Sequence, residues 1–502
     1  MPSNPLDIPE VLTLVGSFLP LWINKSPNLP TDTNALVHHY HHHNLNNNDH
    51  KTPLSFKPAT LSRCLQVSTH WYRTLLPILC HGYWSFLMWQ LPMEAIARYC
   101  YLFKVLYMAP YNFHCARMLL HGCTNLVELG IQVAATRDET TGWRLRGQQT
   151  AVLGLTEKQL LRSNPLIKRL HWSGIGDTTC PVLDPEDFGG LGNLEDLWLE
   201  NWNCSGGQLQ DVLRTVSRTL KSFRLGRIQY VEWSRVQDED YQCKYNRLDS
   251  NVNKNVLRLD RLEWLRSDGE KANVDVLTEL VKCSPNLGTL EVNVKEAWDF
   301  DGLAHSLRTY CPLLDTLDIS SVLQSVSFKT LLHHCSTTGL RRLRVAVHSH
   351  EGNLISEILH HASTLEDLHI QRNNNRVDGF HYLRLLVECT HLKRFSLHSN
   401  FCWFHPNVLD TLAKQPWGCR ENLQELHFSL EFFGTIQRPN SVHKKALVAL
   451  LLEFGWEKVR FKEREDEWAF VDALRKVFEL VRDQELEALR VLVLDSVAFR
   501  RV

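Results

Sequence analysis

The sequence predicts an α/β fold: a leucine-rich-repeat solenoid, a horseshoe with a parallel concave sheet, preceded by a small all-α domain. Three observations predict it. A triplet spaced L-x-x-L-x-L recurs along the chain, its clearest copies hold a period near 26 residues, and a segment with helical apolar spacing follows several of them. The 502 residues exceed what one ordinary globular core organises, while 44% hydrophobic and 22% charged residues is a folded protein's composition.

The triplet reads NLVELGI (Leu126, Leu129, Ile131), LIKRLHW (Ile167, Leu170, Trp172), NLEDLWL (Leu194, Leu197, Leu199) and TLKSFRL (Leu220, Phe223, Leu225). It continues in NLGTLEV (Leu287, Leu290, Val292), LLDTLDI (Leu314, Leu317, Ile319), GLRRLRV (Leu340, Leu343, Val345) and TLEDLHI (Leu365, Leu368, Ile370). HLKRFSL (Leu392, Phe395, Leu397), NLQELHF (Leu423, Leu426, Phe428) and ALRVLVL (Leu489, Leu492, Leu494) complete the clear copies. Weaker ones fit at Leu259-Leu262-Trp264 and Trp456-Val459-Phe461. From Leu287 the first positions step by 27, 26, 25 and 27 residues, inside the ~20–29 of leucine-rich repeats. Longer steps elsewhere imply loop insertions.

L-x-L makes a short strand whose leucines share one face, the residue between them taking the other. Helical spacing follows in 274–283 and in 354–362, where Leu354, Ile355, Ile358 and Leu359 form a stripe. No unit buries its own apolar face, so the units must stack. Small residues before the strands (Cys123, Cys283, Cys311, Cys335, Ala362, Cys389) read as packing residues where helix turns back to strand. Asn373 and Asn400, each three residues past a triplet, read as a partial asparagine ladder between neighbouring loops.

Ahead of the repeats stand NPLDIPEVLTLVGSFLP and LSRCLQVSTHWYRTLLPILCHGYW. Pro9 and Glu10 suit a first helical turn, and Val11, Leu12, Val15, Phe18 and Leu19 lie at helical spacing. With Ile8, Leu61, Leu65, Val67, Trp71 and, more loosely, Trp84, this segment resembles an F-box. Residues 20–58 interrupt it; their HHYHHHNLNNNDH at 38–50 reads as a solvated, disordered insertion. His38, His39, His41, His42 and His43 would bind metal only weakly and adventitiously. The expected organisation is an F-box-like helical domain at 1–90, a helical linker or N-terminal cap at 91–122, and at 123–502 about 12–13 irregular repeats.

The resemblance implies a non-catalytic adaptor of an SCF-type ubiquitin ligase. Its F-box would bind Skp1, and through it a cullin and RING subunit, with Ile8, Pro9, Leu12, Leu65, Val67 and Trp71 as the contacts. The repeats would hold a protein substrate on the residues between the strand leucines: His171, Trp198, Arg224, Glu291, Asp318, Arg344, His369, Ser396 and His427. Trp198, read as exposed, is the best anchor. The alternative is a repeat scaffold whose F-box-like segment only caps the solenoid.

Net charge of -1 argues against a broad basic nucleic-acid surface. None of the 14 cysteines forms a C-x-x-C pair, which removes zinc-ribbon, RING and thioredoxin readings. The start has no secretory pattern and no apolar run reaches the ~20 residues of a membrane span, so the expectation is a reducing compartment, cytoplasmic or nuclear. No G-x-S-x-G, P-loop, H-E-x-x-H or Rossmann fingerprint occurs. Gly189, Gly190 and Gly192 precede a strand and read as a loop; His348, His350 and Glu351 read as a turn. No cofactor and no metal site are expected.

Overall fold

The structure is a computed structural model, and it describes residues 9–10, 12–13, 22–24, 54–56, 59–85, 93–108, 118, 121–133, 157–174, 183–200, 202–203, 206–226, 228–229, 257–269, 274–294, 300–323, 325–347, 352–372, 380–399, 414–428, 453–460, 467–494 and 497–501. The chain forms two compact units, 1–220 with 229–242, and 221–228 with 243–502.

The first unit opens with helical residues at 9–10 and 12–13. Strands β1 (Trp22–Asn24) and β2 (Leu54–Phe56) pair antiparallel, Trp22 opposite Phe56. These strands are the two ends of the stretch read as a disordered insertion, so its neck is closed by a ladder; 38–50 lies outside the described residues. Closing the neck leaves the flanking helices adjacent. Helices α1 (Ala59–Cys64) and α2 (Thr69–Leu79) follow, α2 capped by Ser68, whose hydroxyl accepts from the Trp71 amide at 3.1 Å. Leu12, Leu61 and Leu75 form one buried cluster, with Leu65, Trp71, Ile78 and Leu79 packed against it.

A parallel sheet then runs β3 (Gly82–Trp84), β4 (Val105–Met108), β5 (Glu128–Val133), β6 (Arg169–Gly174) and β7 (Asp196–Glu200), each pairing with the next. Strands β3 and β4 precede residue 123, where repeats were expected to begin, and Trp84, the loose match of the F-box-like segment, lies in β3. Helix α3 (Met93–Tyr99) connects them, and α4 (Pro185–Phe188) and α5 (Gly206–Val216) flank β7 in sequence. Gly189 and Gly190 end α4, consistent with a loop before a strand.

The second unit repeats the motif more evenly. Its parallel strands are β8 (Ser222–Leu225), β9 (Trp264–Gly269), β10 (Thr289–Val294), β11 (Thr316–Leu323), β12 (Arg342–Val347), β13 (Asp367–Arg372), β14 (Arg394–Ser399) and β15 (Glu425–Phe428). Helices α6 (Val274–Lys282), α7 (Asp301–Tyr310), α8 (Ser325–His334), α9 (Gly352–Leu359) and α10 (Phe380–Glu388) alternate with β9 to β14. Beyond 428 come β16 (Trp456–Arg460), α11 (Glu467–Asp483), β17 (Val491–Leu494) and β18 (Val497–Arg501). Strand β17 pairs parallel with β15, and β18 joins β17 and β16 antiparallel. The weak copy at Trp456 is thus an antiparallel edge strand, not a member of the parallel series.

The leucines explain the stacking. Every first position of the clear triplets, from Leu126 to Leu489, is fully buried. Each such side chain contributes about 1.5–3 kcal/mol relative to an exposed one. The helices complete that layer from one stripe: Leu277, Leu280 and Val281 on α6, Leu354, Ile355 and Ile358 on α9, Leu385 and Leu386 on α10 are buried. A second regularity is a backbone rail. One carbonyl ahead of each strand accepts two consecutive amides ahead of the next: Glu263 from Gly288 and Thr289, Gly288 from Asp315 and Thr316, Asp315 from Arg341 and Arg342. His81, Lys104, Val127 and Lys168 do the same in the first unit. The rail fixes register before any side chain is chosen.

The weak copy at Leu259 is displaced by three residues from its expected place. Leu265 is the strand residue opposite Phe223 and Leu290, so the triplet is Leu262, Leu265, Ser267. Its third position is a buried serine, and this hid it from a search for apolar residues.

Where helix meets strand, Cys123, Cys311, Cys335 and Cys389 are buried as expected, and burial pushes each thiol up to about 12. Thiols so protonated are poor nucleophiles. Cys283 and Ala362 are only half-buried; the neighbours Ser284 and His361 fill those junctions instead. Asn373 and Asn400 lie outside the described residues.

Candidate interaction surfaces

The first candidate surface is the helix pair at the N-terminus. Leu12 is 0% exposed and belongs to the helical core. Leu65 and Trp71 are half-buried against the same cluster, each showing part of its surface. Val67, in the turn between α1 and α2, is 62% exposed, and Pro9 is exposed. Ile8 lies outside the described residues. The five described residues of the six named from the sequence therefore divide into one that holds the helices together, two at the margin and two on the surface. Val67 stands in water on the turn between the helices, and single exposed apolar side chains are common on protein surfaces.

The second candidate surface is the strand face opposite the leucines. In the first unit parallel register sets Trp84, Tyr107, Gly130, His171 and Trp198 in one row. The Tyr107 ring lies across Gly130, where a Cβ would come within 2.2 Å of it. Its hydroxyl donates to Glu128 Oε1 at 2.5 Å, and Arg169 pairs with the same carboxylate. Burial, then the Glu128 charge, holds the phenol well above its ordinary value. His171 and Trp198 stack with ring centroids 3.5 Å apart and planes within 4°. Trp198 is 6% exposed, which corrects its reading as an exposed anchor: alternation gave the direction of the side chain, but the histidine opposite covers it.

In the second unit the row is Arg224, Arg266, Glu291, Asp318, Arg344, His369, Ser396 and His427. Arg266 is the member that the displaced triplet concealed. Register places all of the named residues of this unit on one line, and ionic contacts tie neighbours together. Asp268 Oδ2 accepts from Arg224 Nη2 at 2.6 Å and from Arg266 Nε at 2.7 Å. Arg266 Nη1 reaches Glu291 Oε2 at 3.0 Å, and the indole of Trp264 donates to Glu291 Oε1 at 3.0 Å. Burial disfavours the Arg266 charge, but Asp268 and Glu291 outweigh it and raise its pKa. Further along the contacts lengthen. Arg344 Nη1 stands 3.8 Å from Asp318 Oδ2 with 51% of its side chain exposed. His369 Nδ1 meets Ser396 Oγ at 3.0 Å, and His427 lies 3.9 Å from Glu425.

Asp318 is the electrostatic exception. Burial pushes its carboxyl up to about 6, against the opposing pull of Arg344. A carboxylate whose pKa is raised by folding destabilises the native state when ionised, and that cost fades as pH falls from about 6 towards the unfolded value near ~3.9. Asp318→Asn should therefore melt higher than the wild type at pH 7.5, and the gap should close by pH 4. Paired thermal melts at the two pH values check this; a gap that is absent at pH 7.5, or constant with pH, contradicts it.

The row presents charges of both signs on neighbouring parallel strands. His348, His350 and Glu351 lie outside the described residues. Among the described residues no helix is long and apolar enough to cross a membrane. No protein-family model matches the chain, and no curated protein matches its sequence.

Proposed function

We propose that the chain is the substrate-recognition adaptor of an SCF-type ubiquitin ligase. Its helix pair is an F-box that docks on Skp1, its repeating strand–helix units are leucine-rich repeats, and the charged strand row binds a protein substrate. One observation carries the reading: the segment that resembles an F-box folds around Leu12, Leu61 and Leu75 yet leaves Val67 62% exposed on the intervening turn. An adaptor of this kind does no bond chemistry. It holds a substrate lysine close to a charged thioester and so raises its effective concentration.

The docking test uses the full chain with purified Skp1. Val67→Asp places a charge on the exposed turn without touching the core. An apolar anchor of this sort is worth about 2 kcal/mol, so Kd should rise about thirtyfold while the melting temperature holds. Failure of the wild-type chain to bind Skp1 would end the ligase reading. A specific observation then favours a scaffold: β3 begins two residues after Cys80, the C-cap of α2, so the helix pair stands where a terminal cap belongs.

A further inference from the structure

On the opposite side of the repeats from the strand row, the ends of two neighbouring helices bring three metal-ligating side chains together. His333 lies in the last turn of α8, Glu357 in the last turn of α9, and His360 directly after it. Glu357 Oε2 is 3.2 Å from His333 Nδ1 and 3.5 Å from His360 Nε2. All three ligand atoms lie within 4.8 Å of one another, and the two imidazoles meet edge to face at 4.5 Å.

From this geometry we propose that His333, Glu357 and His360 form a binding site for a divalent transition-metal ion of the Zn²⁺ class. Zinc binds imidazole nitrogen and carboxylate oxygen at about 2.0–2.2 Å, which sets tetrahedral ligand atoms about 3.3 Å apart. Two of the three spacings already have that value. The two imidazole side chains are half-exposed, so rotation to close the third spacing meets little resistance. Two nitrogens and one oxygen select zinc-like ions over calcium and magnesium, which take oxygen ligands. Both helices end at the cluster, and the negative pole of a helix C-terminus favours a cation.

The adjoining histidine marks the boundary of the site. His361 is 3% exposed and both its nitrogens are engaged: Nδ1 accepts from the Leu340 amide at 3.2 Å, and Nε2 donates to the Leu332 carbonyl at 3.0 Å. It is a structural junction residue, whereas His360 turns to the surface. A cleft of about 440 Å³ lined in part by Arg308, His333, Thr337, His360 and Ser363 adjoins the two histidine ligands. It leaves the fourth coordination position to water, as in zinc sites with three protein ligands. The ligands come from adjacent repeats, 24 residues apart for His333 and Glu357.

The experiment titrates ZnCl₂ into the full chain carrying alanine at His38, His39, His41, His42 and His43, which removes the competing histidine run. One equivalent should bind per chain, and Co²⁺ should give the visible absorption band of a tetrahedral site. His333→Ala, Glu357→Ala and His360→Ala should each weaken uptake tenfold or more and abolish the band, while His334→Ala leaves both unchanged. Zn²⁺ should raise the melting temperature of the parent but not of the three variants. If a variant melts early without metal, His333→Gln or His360→Gln, which keeps bulk without imidazole, replaces it. No saturable uptake by the parent, or uptake untouched by losing His333 and His360, overturns the assignment.

Discussion

Replacing Asn164 with alanine should cost the first unit about 3 kcal/mol or more, because each buried polar group left without a partner costs ~1–3 kcal/mol. Asn164 is fully buried, and its side chain makes three bonds across a helix–strand junction. Oδ1 accepts from the Leu126 amide at 2.9 Å, while Nδ2 donates to the Cys123 carbonyl at 2.9 Å and the Leu160 carbonyl at 2.8 Å. Alanine orphans the Leu126 amide and the Cys123 carbonyl together and opens a void beside them. Asn164→Asp keeps the acceptor but loses both donors, so the Leu126 amide keeps its bond while Cys123 and Leu160 lose theirs. Chemical denaturation reads the total, and hydrogen exchange at Leu126 reads the local part. A loss below about 1 kcal/mol with Leu126 still protected would mean that water replaces the side chain.

The same junction shows how much of the fold the sequence held. Leucine spacing located the clear repeat strands, since one buried triplet per unit is a physical requirement of stacking. The polar fastener was harder to find. The asparagines read from the sequence, Asn373 and Asn400, each three residues past the last apolar residue of a triplet, lie outside the described residues, and the buried asparagine that fastens a junction is Asn164, ahead of β6. Other units meet the need with different groups: Ser284 Oγ donates to Leu280 at 2.7 Å, Cys311 Sγ to Ser284 at 3.3 Å, and Gln484 Oε1 accepts from Trp417 at 3.0 Å. No single residue type marks the position, so no motif search finds it. Register failed where an apolar position was filled by Ser267, and β3 and β4 were missed because GYW and VLYM lack the leucine spacing.

For the candidate site, alternation in L-x-L was enough to name the row, because side chains on a strand must alternate. What alternation omits is the reach of one side chain to the next strand. Strands lie about 4.8 Å apart, so an arginine or an aromatic ring spans the gap and changes the exposure of its neighbour. That is why Trp198 is covered by His171 and why Arg224 is 8% exposed. The proposed metal ligands escaped because His333 stands 24 residues from Glu357, although Glu357 and His360 are only three apart.

The second large effect is expected at Asp268, which binds two guanidinium groups on one face. Asp268→Ala leaves Arg224 and Arg266 side by side with their common anion gone, and breaking a buried ionic group in this way costs about 3–5 kcal/mol. Partial exposure of Arg266 and Asp268 sets the expectation at the lower end, near 3 kcal/mol. Asp268→Asn, close in shape but neutral, should lose most of that amount, which separates charge from packing. Arg224→Met with Asp268→Leu should recover much of it, since Arg266 still has Glu291 at 3.0 Å and no buried charge is stranded. Denaturant midpoints of the three variants decide the matter; an alanine variant as stable as the wild type would show that solvent already screens the pair. The result bears on recognition as well as stability. Where the row is tied most tightly, at Arg224, Arg266 and Glu291, a partner would have to break bonds already made. Arg344, 51% exposed and only loosely held by Asp318, can turn to a new anion at small cost. Under the adaptor reading, Arg344→Ala should therefore weaken substrate capture with only a small drop in melting temperature at pH 7.5, from the Asp318 carboxylate losing its main opposing charge, whereas Asp268→Ala should move the melting temperature first.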